Sequence, residues 1–143
     1  RMAYTILATV PGIPAIFYGD EAGLEGYHDP FNRMPYPWGR EDHNLINYFI
    51  NIGEIRRNNS IYKEGKFKLL YVDSETLVFE RYDADHSYVT FVNNTKFPRK
   101  IEFSSEAQIL ISGNAEITKS SMTELPAYTS QIFKIEKHSY IYF

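Results

Sequence analysis

The sequence has 143 residues, 43% of them hydrophobic and 16% aromatic, with a formal net charge of -3 and no cysteine. This is enough apolar material for a packed core, so a disordered chain is excluded. Also excluded are the basic footprint of a nucleic-acid binder, a disulfide framework and a thiolate metal site. In chain order, residues 1–12 (RMAYTILATVPG) read as the last turns of a helix, with Met2, Tyr4, Ile6, Leu7 and Val10 apolar and no N-cap signal ahead of them. Such an uncapped start leads us to expect further chain upstream. Pro11-Gly12 stops the helix. Ile13 to Tyr18 is an apolar run broken only by Pro14, expected to be a strand buried on both faces as in a parallel sheet. Pro14 lies near its start, where a missing ladder donor is tolerable. A polar, aromatic, proline-stiffened loop follows, GDEAGLEGYHDPFNRMPYPW over residues 19–38.

Asp42 to Asn58 has helical spacing at Leu45, Ile46, Phe49, Ile52 and Ile55, with Asp42 as N-cap and Arg56-Arg57 complementing the dipole at the other end. After Gly65 the period changes to two. Lys66–Tyr71, Thr76–Tyr82, Ser87–Asn93, Arg99–Phe103, Gln108–Ser112 and Tyr128–Glu136 read as strands, with weaker patterns at Glu116–Thr118 and Ser121–Leu125. VDSE, DADH and NNTKFP are the turns. Short strands at this spacing indicate an antiparallel sandwich. The tail HSYIYF is either an added edge strand or a packed terminus. The chain therefore divides into an α/β part, residues 1–64, and an all-β part, residues 65–143.

The chemistry is concentrated in the loop. Asp29 and Arg33 stand four residues apart around Pro30, so a turn there brings a carboxylate and a guanidinium to one hydroxyl-rich ligand, or pins the loop by a salt bridge. Tyr27, Phe31, Tyr36 and Trp38 offer flat faces for sugar rings, or pack beneath the loop. Adjacent Asp20 and Glu21 make a poor glycosidase pair. A retaining site needs carboxyls about 5 Å apart across the bond, whereas neighbours at a strand end point in opposite directions. The histidines at 28, 43, 86 and 138 lack metal-ligand spacing, so neither a metal nor a cofactor is expected. No phosphate loop or nucleophile elbow occurs.

PGIPAIFYGDEAGLEG followed by DPFNRMPYPW resembles the last barrel strand and the loop after it in glycoside hydrolase family 13, the α-amylase family, above all its neopullulanase, cyclomaltodextrinase and maltogenic amylase group. Gly12, Pro14, Gly19 and Glu21 have that family's spacing, and Asp29-Pro30 with Arg33 follows in order. The resemblance implies the last βα unit of a (β/α)8 barrel, then the family's C-terminal β-sandwich. It implies an enzyme that acts on α-glucan oligosaccharides by retaining chemistry at α-glucosidic bonds. Asp29 and Arg33 would hold a glucose unit away from the scissile bond, with Tyr27 and His28 at the rim. Gly19, Asp20 and Glu21 would be structural at the strand end. The family's catalytic aspartate, glutamate and second aspartate come from earlier strands, and its Asn-His-Asp stretch is absent here, so no catalytic residue is assigned in this chain. The resemblance thus implies an inactive C-terminal fragment, whose partners would be the preceding part of the barrel and an α-glucan, with self-association of the fragment as a further expectation. A non-catalytic structural or carbohydrate-binding sandwich and one chain of a split amylase are the alternatives. No nucleic-acid or membrane partner is expected. The lack of cysteine leans towards a reducing, cytoplasmic compartment without fixing it.

Overall fold

The computed structural model describes residues 1–111, 119–136 and 141–142. Three helices come first: α1 (Met2–Thr9), α2 (His43–Asn58) and α3 (Ile61–Glu64). Seven strands follow: β1 (Lys66–Val72), β2 (Thr76–Tyr82), β3 (His86–Asn93), β4 (Arg99–Ile111), β5 (Lys119–Leu125), β6 (Thr129–Glu136) and β7 (Ile141–Tyr142). The fold is thus mainly antiparallel β with few helices. The strands form one sheet in the order β1-β2-β3-β6-β4-β5, with β7 against β4, and every pair is antiparallel. The tail therefore supplies an added strand. The predicted segment Glu116–Thr118, Ser112 and His138 lie outside the described residues.

The hairpin turns are built by one device used twice. Asp73 accepts from the N–H groups of Glu75 (2.8 Å) and Thr76 (2.6 Å), and Asp83 accepts from those of Asp85 and His86 (both 2.8 Å). A short acidic side chain that bonds the backbone two and three residues on mimics a backbone turn. In the next turn Asn93, wholly buried, donates to Phe97 O, Leu125 O and Pro126 O. It thereby ties the β3–β4 connection to the β5–β6 connection.

Period-two alternation sorts the strand residues onto two faces. Val78, Val89, Phe91, Ile101, Phe103, Ala107, Leu125, Phe133 and Ile135 form one cluster drawn from β2 through β6. No helix covers it, yet its members are buried, so the sheet must curl over itself to form the sandwich core. The opposite face meets the helices. Ala8, Tyr48 and Ile52 pack on Ile111 and Ile132, while Ile61 and Tyr62 pack on Tyr88. β3 lies between both layers and is buried from Ser87 to Asn93.

Polar groups fix the helices on this face. Thr5, Tyr48 and Ser130 form a buried triangle of hydroxyls at 2.7, 2.9 and 3.2 Å, which joins α1, α2 and β6. Arg56 of α2 donates to the carbonyls of Ala8 and Gly12, closing the C-terminus of α1. Arg81 of β2 is 1% exposed, and its guanidinium donates to Thr9 O, Ile61 O, Tyr62 O, Gly65 O and Lys66 O at 2.9–3.3 Å. Two of these carbonyls belong to α3, and Thr9 is the last residue of α1, where helix carbonyls lack partners.

Two expectations are corrected. Ile13–Tyr18 is not a strand but an irregular segment, with Ile13 96% and Phe17 65% exposed. A parallel strand needs ladder partners, none of the described strands pairs with it, and Pro14 removes one of its donors. The strands predicted at Arg99–Phe103 and Gln108–Ser112 are one continuous β4. The polar Ser104-Ser105-Glu106 interruption is where the register against β5 slips, a bulge and not a break.

Candidate functional site

The loop from Gly19 to Arg40 opens on a tight turn. Gly19 has φ 85°, and a Cβ there would come within 2.7 Å of Leu24 Cδ2 and 2.8 Å of Leu24 Cβ, so only glycine fits. Its carbonyl accepts from Ala22 (3.1 Å) and Leu24 (2.9 Å). A single 3-10 turn, Asp20–Ala22, carries the two acidic residues. Asp20 lines a cleft of about 270 Å³ beside Tyr4, Leu24 and Phe49. Glu21 instead lies within electrostatic reach of the Tyr36 phenol, whose pKa is pushed up by desolvation and then by the charges of Glu21 and Glu41. The loop closes where Asp42 donates its N–H to Ala22 O (3.0 Å) and its carboxylate caps α2 by accepting from Leu45 N (2.9 Å).

At the tip, a second 3-10 turn, Phe31–Arg33, follows a cis Asp29-Pro30 bond. It brings Arg33 Nε to 2.8 Å from Asp29 Oδ1, with the two side chains 77% and 62% exposed. No other hydrogen bond or ion pair engages either side chain among the described residues. The pair therefore offers an oriented guanidinium beside a carboxylate, both open to solvent. Tyr27 and His28 lie next to it. Tyr27 meets His28 edge-on at 5.8 Å, and His28 meets Phe31 at 6.0 Å. Tyr36 packs against Trp38 at 4.6 Å and against Tyr18 at 6.1 Å. Most of these rings are exposed rather than packed beneath the loop.

Two members of this region escaped sequence reasoning. Tyr18 was assigned to a buried strand, and it is instead part of the exposed aromatic group. Asn32 has a buried side-chain oxygen without a partner among the described residues, and it packs against Gly26. Gly26 was its only sequence signal. Among the described residues, no cluster of His, Asp or Glu could hold a metal, and no helix is long and apolar enough to cross a membrane.

The chain matches no protein-family model. It is similar to the amylopullulanase of Thermoanaerobacter thermohydrosulfuricus, 41% identical over 81 residues, which are 57% of this chain and 6% of that protein. It is similar along 99% of its length to the cyclomaltodextrinase of Thermoanaerobacter pseudethanolicus, at 30% identity and covering 24% of that protein. The chain thus spans a quarter or less of the length of these relatives. Among solved structures, the α-amylase of Geobacillus thermoleovorans complexed with acarbose superposes with a TM-score of 0.79 at 26% identity, over 96% of this chain and 33% of that one.

Proposed function

Because this chain belongs to the α-amylase family, glycoside hydrolase family 13, and matches the C-terminal part of its members, we propose that it is the substrate-loop and β-sandwich portion of an enzyme that hydrolyses α-glucans. In this reading residues 1–64 complete the catalytic barrel, with Ile13–Tyr18 as its last strand once neighbouring strands are present. Residues 65–143 form the C-terminal sandwich domain. The catalytic carboxylates lie on other parts of the enzyme. Asp29 and Arg33 hold a glucose unit remote from the scissile bond, with Tyr27 and His28 at the rim, while Gly19, Asp20 and Glu21 shape the turn that aims the loop.

The observation that carries this reading is the exposed, otherwise unengaged Asp29–Arg33 pair. A solvent-exposed ion pair stabilises a fold by only about 0–1 kcal/mol, so pinning the loop is a poor account of it. A sugar hydroxyl between carboxylate and guanidinium can accept from one and donate to the other, each a charge-assisted bond.

The test is kinetic, in the full-length enzyme that carries this chain. Arg33→Ala and Asp29→Ala should each lower kcat/KM on long maltodextrins by about tenfold or more. The loss on maltotriose should be much smaller, and the melting temperature should not move. Equal loss at every chain length, accompanied by clear destabilisation, would show that the pair holds the loop and not the sugar.

A further inference from the structure

The tip of the loop has an anchor of its own. Of residues 25 to 35, Asn32 is the one that is not exposed to solvent. It is the middle residue of the 3-10 turn Phe31–Arg33, directly before Arg33. That turn is held by local bonds, from Phe31 N–H to His28 O and from Arg33 N–H to Pro30 O, both 3.0 Å. The ion pair ties Arg33 to Asp29, which belongs to the same tip. None of these contacts fixes the tip to the rest of the loop. Asn32 reaches further, across the base of the tip. A Cβ placed on Gly26 would lie 3.5 Å from both its Cα and its Cβ, an ordinary van der Waals contact.

The chemistry of this side chain narrows its role. Asparagine at an exposed turn ordinarily keeps its amide in water. Here Oδ1 is buried, and the side chain makes no hydrogen bond among the described residues. That arrangement carries a desolvation cost. The amide therefore does not fix the turn by a hydrogen bond, and what the side chain supplies is volume beneath the tip. We infer that Asn32 is a positioning residue: packed on Gly26, it anchors the turn that presents Arg33 beside Asp29, and it acts by its shape. The inference rests on the sugar-binding role proposed above for that pair. An anchored tip offers carboxylate and guanidinium in place, whereas a loose one must be ordered by the ligand, which weakens binding.

Two measurements test it. In the full-length enzyme that carries this chain, Asn32→Ala should raise KM on long maltodextrins at least about fivefold and leave kcat and KM on maltotriose unchanged. Asn32→Leu, branched at the same carbon and of similar size, should stay close to the parent on both substrates. In the 143-residue chain, the heteronuclear NOE at Arg33 Nε should fall in Asn32→Ala and be kept in Asn32→Leu, with little change of melting temperature in either. An Arg33 Nε as rigid in Asn32→Ala as in the parent, or Asn32→Leu as impaired as Asn32→Ala, would overturn the inference. A loosened Arg33, together with an Arg33→Ala enzyme that keeps full activity on long chains, would uphold the anchor and overturn the proposed role of the pair instead.

Discussion

Arg81 is the residue on which this fold depends most heavily. Among the described residues its guanidinium has no acidic partner, and carbonyls from α1, α3, the Gly65 linker and β1 surround it. Replacing it with alanine would strip a donor from each of these carbonyls and open a cavity under both helices. Arg81→Ala should therefore destabilise the chain by about 3 kcal/mol or more, and Arg81→Lys should recover only part of that, since an ammonium cannot reproduce the planar fork. Urea unfolding measures both, and an alanine variant within about 1 kcal/mol of the parent would contradict this role. Sequence reasoning passed over Arg81. Its only signal was an arginine in register with Leu77 and Phe79 on one face of a strand, which also describes an ordinary exposed edge. By contrast Asp42, an acidic residue just ahead of a helical pattern, was legible as a cap because capping is local chemistry.

Asp73 gives the pH dependence. The N–H of Glu75 and the Tyr71 hydroxyl hold its pKa below the usual carboxylate range, with Thr76 N–H and Arg99 adding to the effect. A group lowered in the folded state stabilises the fold above its unfolded pKa, and this is lost as pH falls through the folded value. Acidification from the ordinary aspartate range downwards should thus loosen the β1–β2 turn. Asp73→Asn should remove that part of the pH dependence, as followed by exchange of the Glu75 and Thr76 amides. An unchanged pH profile in the variant would contradict the assignment.

At the scale of elements, two apolar runs exchanged places relative to expectation. Ile13–Tyr18 has the continuous hydrophobicity of a strand buried on both faces, yet it is exposed. β3 met that burial instead, because helices cover one of its sides and the curled sheet covers the other. Apolarity in a sequence reports that a segment is meant to be covered, not what covers it. For β3 the cover lies within the chain. For Ile13–Tyr18 the proposed function places it in neighbouring barrel strands. The β hairpins were legible because alternation and Asp-led turns are short-range signals. The curl of the sheet and the union of two predicted strands into β4 depend on long-range pairing, which leaves no local mark. Hydrogen exchange on a strictly monomeric sample should show the Ile13–Tyr18 amides exchanging far faster than those of Val89–Val92. Equal protection would contradict this, and protection that appears only as concentration rises would identify the segment as the adhesive one.

For the whole molecule, the proposed function separates recognition from chemistry. Among the described residues, the sandwich core forms one cluster and the helices pack on the opposite face of the sheet. The loop that presents Asp29 and Arg33 was legible from its composition, and its proposed role comes from the family to which the chain belongs. The sequence has no Asn-His-Asp stretch, and Asp20 and Glu21 are neighbours in one 3-10 turn, with Asp20 lining a cleft. Adjacent residues make a poor nucleophile and acid/base pair across one bond. In the proposed function this chain contributes sugar contacts and scaffold, and the carboxylates that cleave the bond lie on other parts of the enzyme. Reducing-sugar release from starch, pullulan and cyclodextrins by the purified chain, prepared in a strain without amylase, tests it most directly. The account predicts no release above the blank at any protein concentration, and release that scales with the chain and persists in an independent preparation would contradict it.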